Sequence, residues 1–461
     1  MKNKFLVSTL AVLALCGTTF SMTSCGNSER AAVEAAVKDA MTLDRDALLQ
    51  KAADELAANP SFRWVGCSSR AKKAASYFRA ELAKKNPICA DEIKVPFHWE
   101  VLDDGHIYTR LVGDIKANAK DSFDGALVQD GYQLSQFGDQ FVNYVPKEWT
   151  GDASNKEPFS LQYNFKTWLV NDSNGDEAIP DNVWDFTDTG KHIQTMDPNN
   201  ENVNRDWLIM LTKTEYNTML KDAWNALSDT EKAAKGVNPD ADEFKSYGEK
   251  KYAYAFIAGY IKNAIFQKDD GAAVNAFAVK TAKGSYGWIV YSKMMNLAET
   301  DTVSKKWIVS PALGKENTDG NTATMKMKGF GGFMYKHYLQ VMPNTKHPYT
   351  TCALINILST TKEGYNGWAK DIGDYPSMSS VNLDRTKFGH GTLATEKNDK
   401  GEYAYTQDNN GANVFAVMND PKSDWWISKT GGNAVIEEPA YIGKNYDAVN
   451  DFIVTQTNKK K

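Results

Sequence analysis

Two short apolar runs in this chain stop abruptly at residues that can hold a ligand. Residues 62–67 run into Ser68-Ser69-Arg70, and residues 126–128 run into Gln129-Asp130-Gly131. A helical pattern follows in both places. Where a strand turns into a helix, the first backbone N–H groups lack helical partners and the helix dipole is positive, so an anion or a ligand oxygen is favoured. Arg70 adds a planar fork of donors suited to carboxylate or phosphate. Asp130 adds an acceptor for a hydroxyl or an ammonium. Plainer readings stand beside these: Ser68 or Ser69 as a helix N-cap, Arg70 as a solvated charge, and Gln129-Asp130-Gly131 as an Asx-type turn. Two further positions are of the same kind. Asn204 can cap a helix starting at Arg205, and Ser285 lies with Tyr286 in a turn bracketed by Gly284 and Gly287.

No local signature of catalysis or metal binding accompanies them. The sequence contains no Gly-x-Ser-x-Gly, no P-loop, no His-Glu-x-x-His and no Cys-x-x-Cys, and its six histidines are scattered. Neither a metal nor a cofactor is expected. Asp172-Ser173-Asn174-Gly175-Asp176 looks like the start of a calcium loop. However, Glu177 stands where such a loop needs glycine and no glutamate closes it, so it reads as a solvated turn. A paired-carboxylate glycosidase leaves no local motif, which keeps a secreted hydrolase among the alternatives.

The chain has 461 residues, 42% hydrophobic and 24% charged, enough for two or three lobes. Its net charge is −5, and removing a leader that carries Lys2 and Lys4 takes it to −7. With no long basic stripe, nucleic acid is excluded as a partner. Lys2 and Lys4 precede an apolar run over residues 5–15, then small and polar residues end at Met22-Thr23-Ser24-Cys25. The run is too short to span about 30 Å of hydrocarbon and reads as a cleaved export signal over residues 1–24. The four residues ending at Cys25 resemble a bacterial lipobox, with Met22 an uncommon first residue. Lipid on Cys25 would anchor the protein to a membrane without spanning it, with residues 25–40 as a tether. The remaining cysteines, Cys67, Cys89 and Cys352, are odd in number. They allow a Cys67–Cys89 bridge without demanding one.

These residues need elements to hold them. Thr42 reads as the N-cap of a helix to about residue 58, and an amphipathic helix runs from Ser68 to about residue 85. Residues 95–101 are strand-like, and a helix begins at Asp103-Asp104, with Ile107, Leu111, Val112 and Ile115 at helical spacing. Residues 159–171 are extended, and helices are expected near 205–223 and 240–266. Another helix and a strand share residues 274–294, with extended runs at 307–313 and 332–342. A helix over about 348–370 leads to Gly373-Asp374-Tyr375-Pro376. A loop-rich stretch, 380–425, precedes a last helix near 439–457. The strand–helix alternation points to an α/β fold with a parallel sheet. Most of the aromatic residues are expected in the core.

Several stretches together resemble the extracellular solute-binding proteins of bacterial ABC importers, the two-lobed periplasmic-binding-protein type II class. They are Val65 to Arg70, Leu127 to Gly131, Phe159 to Asn164, Trp184-Asp185-Phe186, Gly329 to Tyr335 and Pro348 to Gly364, in that order behind the lipobox. The resemblance implies two α/β lobes joined by crossover strands. Lobe 1 takes residues 41–165 and 325–375, lobe 2 takes 166–324, and 376–461 form a C-terminal loop and helix region. It implies that a small-molecule solute binds between the strand carboxyl ends, closes the lobes by hinge bending, and passes to an ABC importer permease. Gln162 and Asn164 then lie on a crossover facing the cleft, Asn204 gives lobe 2 its own oxygen site, and Asp374 and Tyr375 stand beside the cleft. The Ser-Ser-Arg turn favours an oxyanion-bearing solute, and the role is binding rather than catalysis. A surface glycan-binding or structural lipoprotein is the main alternative.

Overall fold

The computed structural model describes residues 25–68, 71–119, 122–171, 178–277, 285–293, 308–312, 325–368, 373–381, 393–397, 403–405 and 423–460. Its first half runs α1 (Cys25–Ala40), α2 (Arg45–Ala58), β1 (Phe62–Gly66), α3 (Ala71–Lys85), β2 (Phe97–Val101), α4 (Asp104–Lys116), β3 (Gly125–Val128), α5 (Gly131–Phe137), β4 (Ser160–Asn171), β5 (His192–Met196), α6 (Asn202–Met210) and α7 (Thr214–Asn225). Then come α8 (Asp229–Ala234), α9 (Asp242–Lys245), α10 (Lys251–Asn263), β6 (Ala264–Gln267), α11 (Asp270–Phe277), β7 (Ser285–Val290), β8 (Ile308–Val309) and β9 (Gly332–Val341). The chain closes with α12 (Pro348–Thr360), α13 (Lys362–Trp368), β10 (Asp374–Pro376), β11 (Leu393–Lys397), β12 (Tyr403–Tyr405), α14 (Ser423–Ile427), β13 (Val435–Ile436) and α15 (Pro439–Lys460).

Two lobes of like construction meet on two long strands. In lobe 1, β2, β1 and β3 are parallel and β3 runs antiparallel to β9. In lobe 2, β6, β5 and β7 are parallel and β7 runs antiparallel to β4. β4 and β9 pair with each other from Ser160–Tyr338 to Thr167–Gly332. The strand path is continuous because β4 and β9 belong to both lobes, while no described strand before β4 pairs with one between β5 and β7. The register sets the geometry: Val128 at the end of β3 faces Tyr338, and Val290 at the end of β7 faces Lys166. The carboxyl ends of both parallel sets therefore converge on the middle of the crossovers. Every residue of β4 and β9 is buried, as covered strands must be, and their aromatic and β-branched content suits that position.

The core follows the same division. Lobe 1 buries Leu48, Leu56, Phe62, Trp64, Phe78 and Leu354, and lobe 2 buries Trp168, Trp184, Trp207, Trp288 and Tyr260. α15 packs on α5 of lobe 1 and on α6 and α10 of lobe 2, so it straddles the two.

Several local expectations are corrected. Asp44, not Thr42, caps α2: its carboxylate accepts from the Ala47 N–H, while the Thr42 hydroxyl bonds back to Asp39 O at the end of α1. Residues 25–40, expected as a tether, form α1, whose Val33, Val37 and Ala40 are buried at helical spacing. The helix expected near 205–223 is two, because the chain turns between Leu211 and Lys213. The one expected near 240–266 gives way to β6 at Ala264. β5 went unforeseen. Cys67 and Cys89 are not joined in a disulfide. Among the described residues no helix is long and apolar enough to cross a membrane.

Candidate functional site

The lobe 1 wall begins at the end of β3. Asp130 sits at φ +85°, ψ 92°, a backbone region that side-chain-bearing residues rarely occupy. It is held there by its own carboxylate, which accepts from the Gln133 N–H (3.1 Å) and the Gln133 amide (2.5 Å) and so caps α5. The same carboxylate also accepts from the Asn202 amide at the start of α6, 2.5 Å away in lobe 2. Asp130 is thus both a cap and an interlobe contact. Strain of this kind, over-determined by surrounding bonds, is typical of ligand clamps. Gly131 follows because a Cβ there would meet Ile442 at 2.9 Å and the Glu437 carboxylate at 3.0 Å.

The floor is a polar stripe on the crossovers. Gln162, Asn164 and Lys166 alternate along β4, so they share one face, while Tyr163, Phe165 and Leu169 enter an apolar cluster on the other. The Gln162 amide donates to Asn164 (2.8 Å), and its oxygen accepts from Tyr365 Oη (2.9 Å) and Trp368 Nε1 (3.1 Å). His337 Nε2 lies 2.7 Å from the Asn164 amide and 3.0 Å from the Gln129 oxygen, so the floor reaches the lobe 1 wall.

Lobe 2 supplies the opposite wall. The Lys166 ammonium, fully buried, donates to Asn204 Oδ1 at 2.9 Å and lies 3.1 Å from Glu201 and 3.8 Å from Asp270. A buried ammonium needs such partners to remain charged. Glu201 caps α6 through the Asn204 N–H, so the helix starts at Asn202, earlier than the Arg205 start expected. Asn204 is its third residue, with its amide on Thr195 Oγ1 and Met196 O.

Carboxylates dominate where the lobes touch. Asp206 of α6 accepts from the Tyr132 N–H (3.3 Å). Glu437, after β13, accepts from Tyr338 Oη (2.6 Å) and Lys336 N (3.0 Å). The second oxygens of Asp206 and Glu437 are buried with no hydrogen-bond partner. Burial raises the pKa of Asp130, Asp206 and Glu437, and mutual repulsion adds to it for the latter two; Glu437 is pushed up to about 7. Burial lowers Lys336, against the pull of Glu437.

The sequence-derived residues fall into three groups. Gln129, Asp130, Gly131, Gln162, Asn164 and Asn204 come together here. Asp374 is buried on β10 opposite Asn164, and Ser68 lies just past β1. Tyr375 points the other way, its ring 6.3 Å from Phe165 in the apolar cluster. Ser285 opens β7 at the far end of lobe 2, paired with His192. Ser69 and Arg70 lie outside the described residues. Lys166 and His337 were missed, although Lys166 is the next same-face position after Gln162 and Asn164. Asp206 and Glu437 carry no signal in the sequence. Among the described residues, no group of three or more His, Cys, Asp or Glu side chains could hold a metal ion.

Comparison with known proteins places this geometry. No protein-family model and no curated protein matches the sequence. A ferric iron-binding protein A from Mannheimia haemolytica, in an open conformation, superposes with a TM-score of 0.51 at 11% identity, over 87% of this chain and 99% of that one. The chain has the two-lobed periplasmic-binding-protein fold. Iron-bound HitA from Pseudomonas aeruginosa aligns over 86% of this chain and 99% of its own, with 11% identity and a TM-score of 0.48. The sulfate-binding protein SubI from Mycobacterium tuberculosis covers 70% of this chain and 88% of its own, with 11% identity and a TM-score of 0.39.

Proposed function

We propose that this chain is an exported, lipid-anchored solute-binding protein that captures a small polar solute between its lobes and delivers it to an ABC importer permease. The observation that carries the reading is the convergence of strand carboxyl ends from both lobes on one buried polar stripe, with Asp130 reaching across to Asn202. Polar groups this deep need partners, and a bound solute can supply them while holding the lobes shut. Asp130, Asp374 and the free oxygens of Asp206 and Glu437 suit hydroxyl or amine donors. For an oxyanion on the same solute, the residue types of Ser68, Ser69 and Arg70 are the suitable partners. Lipid on Cys25 is the anchor in this reading, and no residue is given a catalytic role.

A thermal-shift screen of small polar solutes tests it. Ligand at about 100 times its dissociation constant adds about 2.7 kcal/mol of stability. A solute that stabilises the wild type but not Asp130→Ala is the expected result. Failure of every solute class, or equal stabilisation of both proteins, would count against the cleft. For the anchor, the wild type should incorporate labelled lipid and Cys25→Ser should leave the membrane fraction. A wild type that takes up no lipid would remove that part.

A further inference from the structure

A second polar site lies on lobe 1, at the amino ends of the strands and away from the cleft. A cavity of about 190 Å³ opens there between the start of β1, the start of β3 and the turn after β9, lined by Ser61, Arg63, Ser122, Asp124, Lys346 and His347 among others. A water needs about 10–15 Å³, so a phosphate group with several waters fits.

Among its described lining residues, cations outnumber anions: Arg63 and Lys346, with His347, against Asp124. His347 Nδ1 lies 2.9 Å from Asp124 Oδ1 and Nε2 lies 2.8 Å from the Asn59 carbonyl oxygen. Both partners are acceptors, so both ring nitrogens donate and the imidazolium balances Asp124. That carboxylate also takes the Thr345 hydroxyl (2.6 Å) and the Arg63 N–H (2.7 Å), which leaves it little capacity for a further donor. Arg63 and Lys346 are left over. Arg63 is half-buried; among the described residues its guanidinium has no hydrogen bond or ion pair, and its Nε is buried without a partner. Its one described contact is with the Phe123 ring, 5.6 Å from the guanidinium carbon. A buried, unpaired guanidinium donor is rare and calls for an occupant. Asn344 Oδ1, on the cavity wall, is also buried and unpartnered.

We propose that this cavity binds a phosphate-bearing group, with Arg63 as the fork that grips it and Lys346 as the second cation. Arg–phosphate pairing is bidentate and charge-assisted, which matches what Arg63 offers. The phosphate can come from a free anion or from a phospholipid head group. The second source has a structural basis: a neighbouring cavity of about 240 Å³ shares Asn344, Thr345 and Lys346 and is closed by Glu29, Ala32 and Val33 of α1, the helix that begins at Cys25. Only that source rests on the anchor proposed above.

Two measurements test the proposal. Inorganic phosphate is titrated by calorimetry into wild type, Arg63→Ala, Lys346→Ala and Asp130→Ala. The full-length Cys25→Ser protein is sedimented with phosphatidylglycerol and with phosphatidylcholine vesicles, with and without Arg63→Ala. Phosphate should bind saturably, weaken tenfold or more in Arg63→Ala, weaken less in Lys346→Ala, and be unchanged in Asp130→Ala. Arg63-dependent sedimentation with phosphatidylglycerol identifies a lipid head group; phosphate binding without it identifies a free anion. Lys346 is exposed, so its variant tests the site even if Arg63→Ala unfolds. The proposal is overturned if neither phosphate nor vesicles bind, if binding survives both substitutions, or if Asp130→Ala abolishes it.

Discussion

Strand β3 carries an aspartate just outside each end, and the two live in opposite surroundings. Asp124, before the strand, is bonded wholly within lobe 1 and faces an opposite charge, His347. Asp130, after it, is bonded across to lobe 2 and faces like charges, Asp206 and Glu437, in a strained backbone conformation. Both are buried to 5% exposure or less, so burial does not distinguish them. Who the partners are does. A buried charge satisfied inside one lobe fixes that lobe. A buried charge shared between its own lobe, through Gln133, and the facing lobe, through Asn202, ties the two together beside the unpartnered oxygens of Asp206 and Glu437.

The comparison breaks most sharply at Asp124. Asp124→Ala strands a buried imidazolium and should cost about 3–5 kcal/mol of stability in chemical denaturation. Solute affinity in the protein that still folds should be unchanged. A loss under 1 kcal/mol would make the two ends equivalent.

The pH response sharpens it. Glu437 titrates near 7 when folded and near 4.5 when not, so the folded state binds more protons between these values. Stability should therefore fall as pH rises from about 4.5 through 7, by on the order of 2–3 kcal/mol. Burial disfavours the charge on His347, but Asp124 and the Asn59 carbonyl raise its pKa above 6.5. Its contribution is complete below 6.5 and is lost as pH rises through the higher folded value. The two slopes share a sign, so variants must separate them. Glu437→Gln should reduce the slope between about pH 4.5 and 7 and leave what belongs to the Glu55 and His347 pair, where burial pushes Glu55 up to about 7 and Asp124 raises His347. Unchanged slopes in Glu437→Gln would show that Glu437 does not hold a proton near neutral pH.

The smallest effect concerns a cap. Asp44→Ala should cost about 1 kcal/mol and Thr42→Ala much less. The reverse order in thermal unfolding would restore Thr42 as the cap of α2.

Where the sequence was legible, residue pattern and physical role coincided. The runs at 62–67 and 126–128 became β1 and β3 because short apolar runs ending in polar residues fit buried parallel strands. The long stretch at 159–171 became β4, and its alternation put Gln162 and Asn164 on the polar face. β5 and β6 escaped notice for local reasons. His192–Met196 is short and mixed, and Ala264–Gln267 follows α10 with no glycine or proline between them. Thr42 misled because the chain there was still finishing α1, which local pattern does not reveal. Glu437 lies 101 residues from Lys336, whose N–H it accepts, and only the tertiary fold makes it part of the site.

In the proposed function a solute is held at the interlobe cleft. The most direct measurement is a calorimetric titration, into wild type and Asp130→Ala, of the solute that most stabilises the wild type. Removing one partner of a buried charged hydrogen bond costs about 2–5 kcal/mol, so Asp130→Ala should bind about thirty-fold or more weakly. Affinities within about twofold of each other would mean that Asp130 only caps α5 and that the solute binds elsewhere.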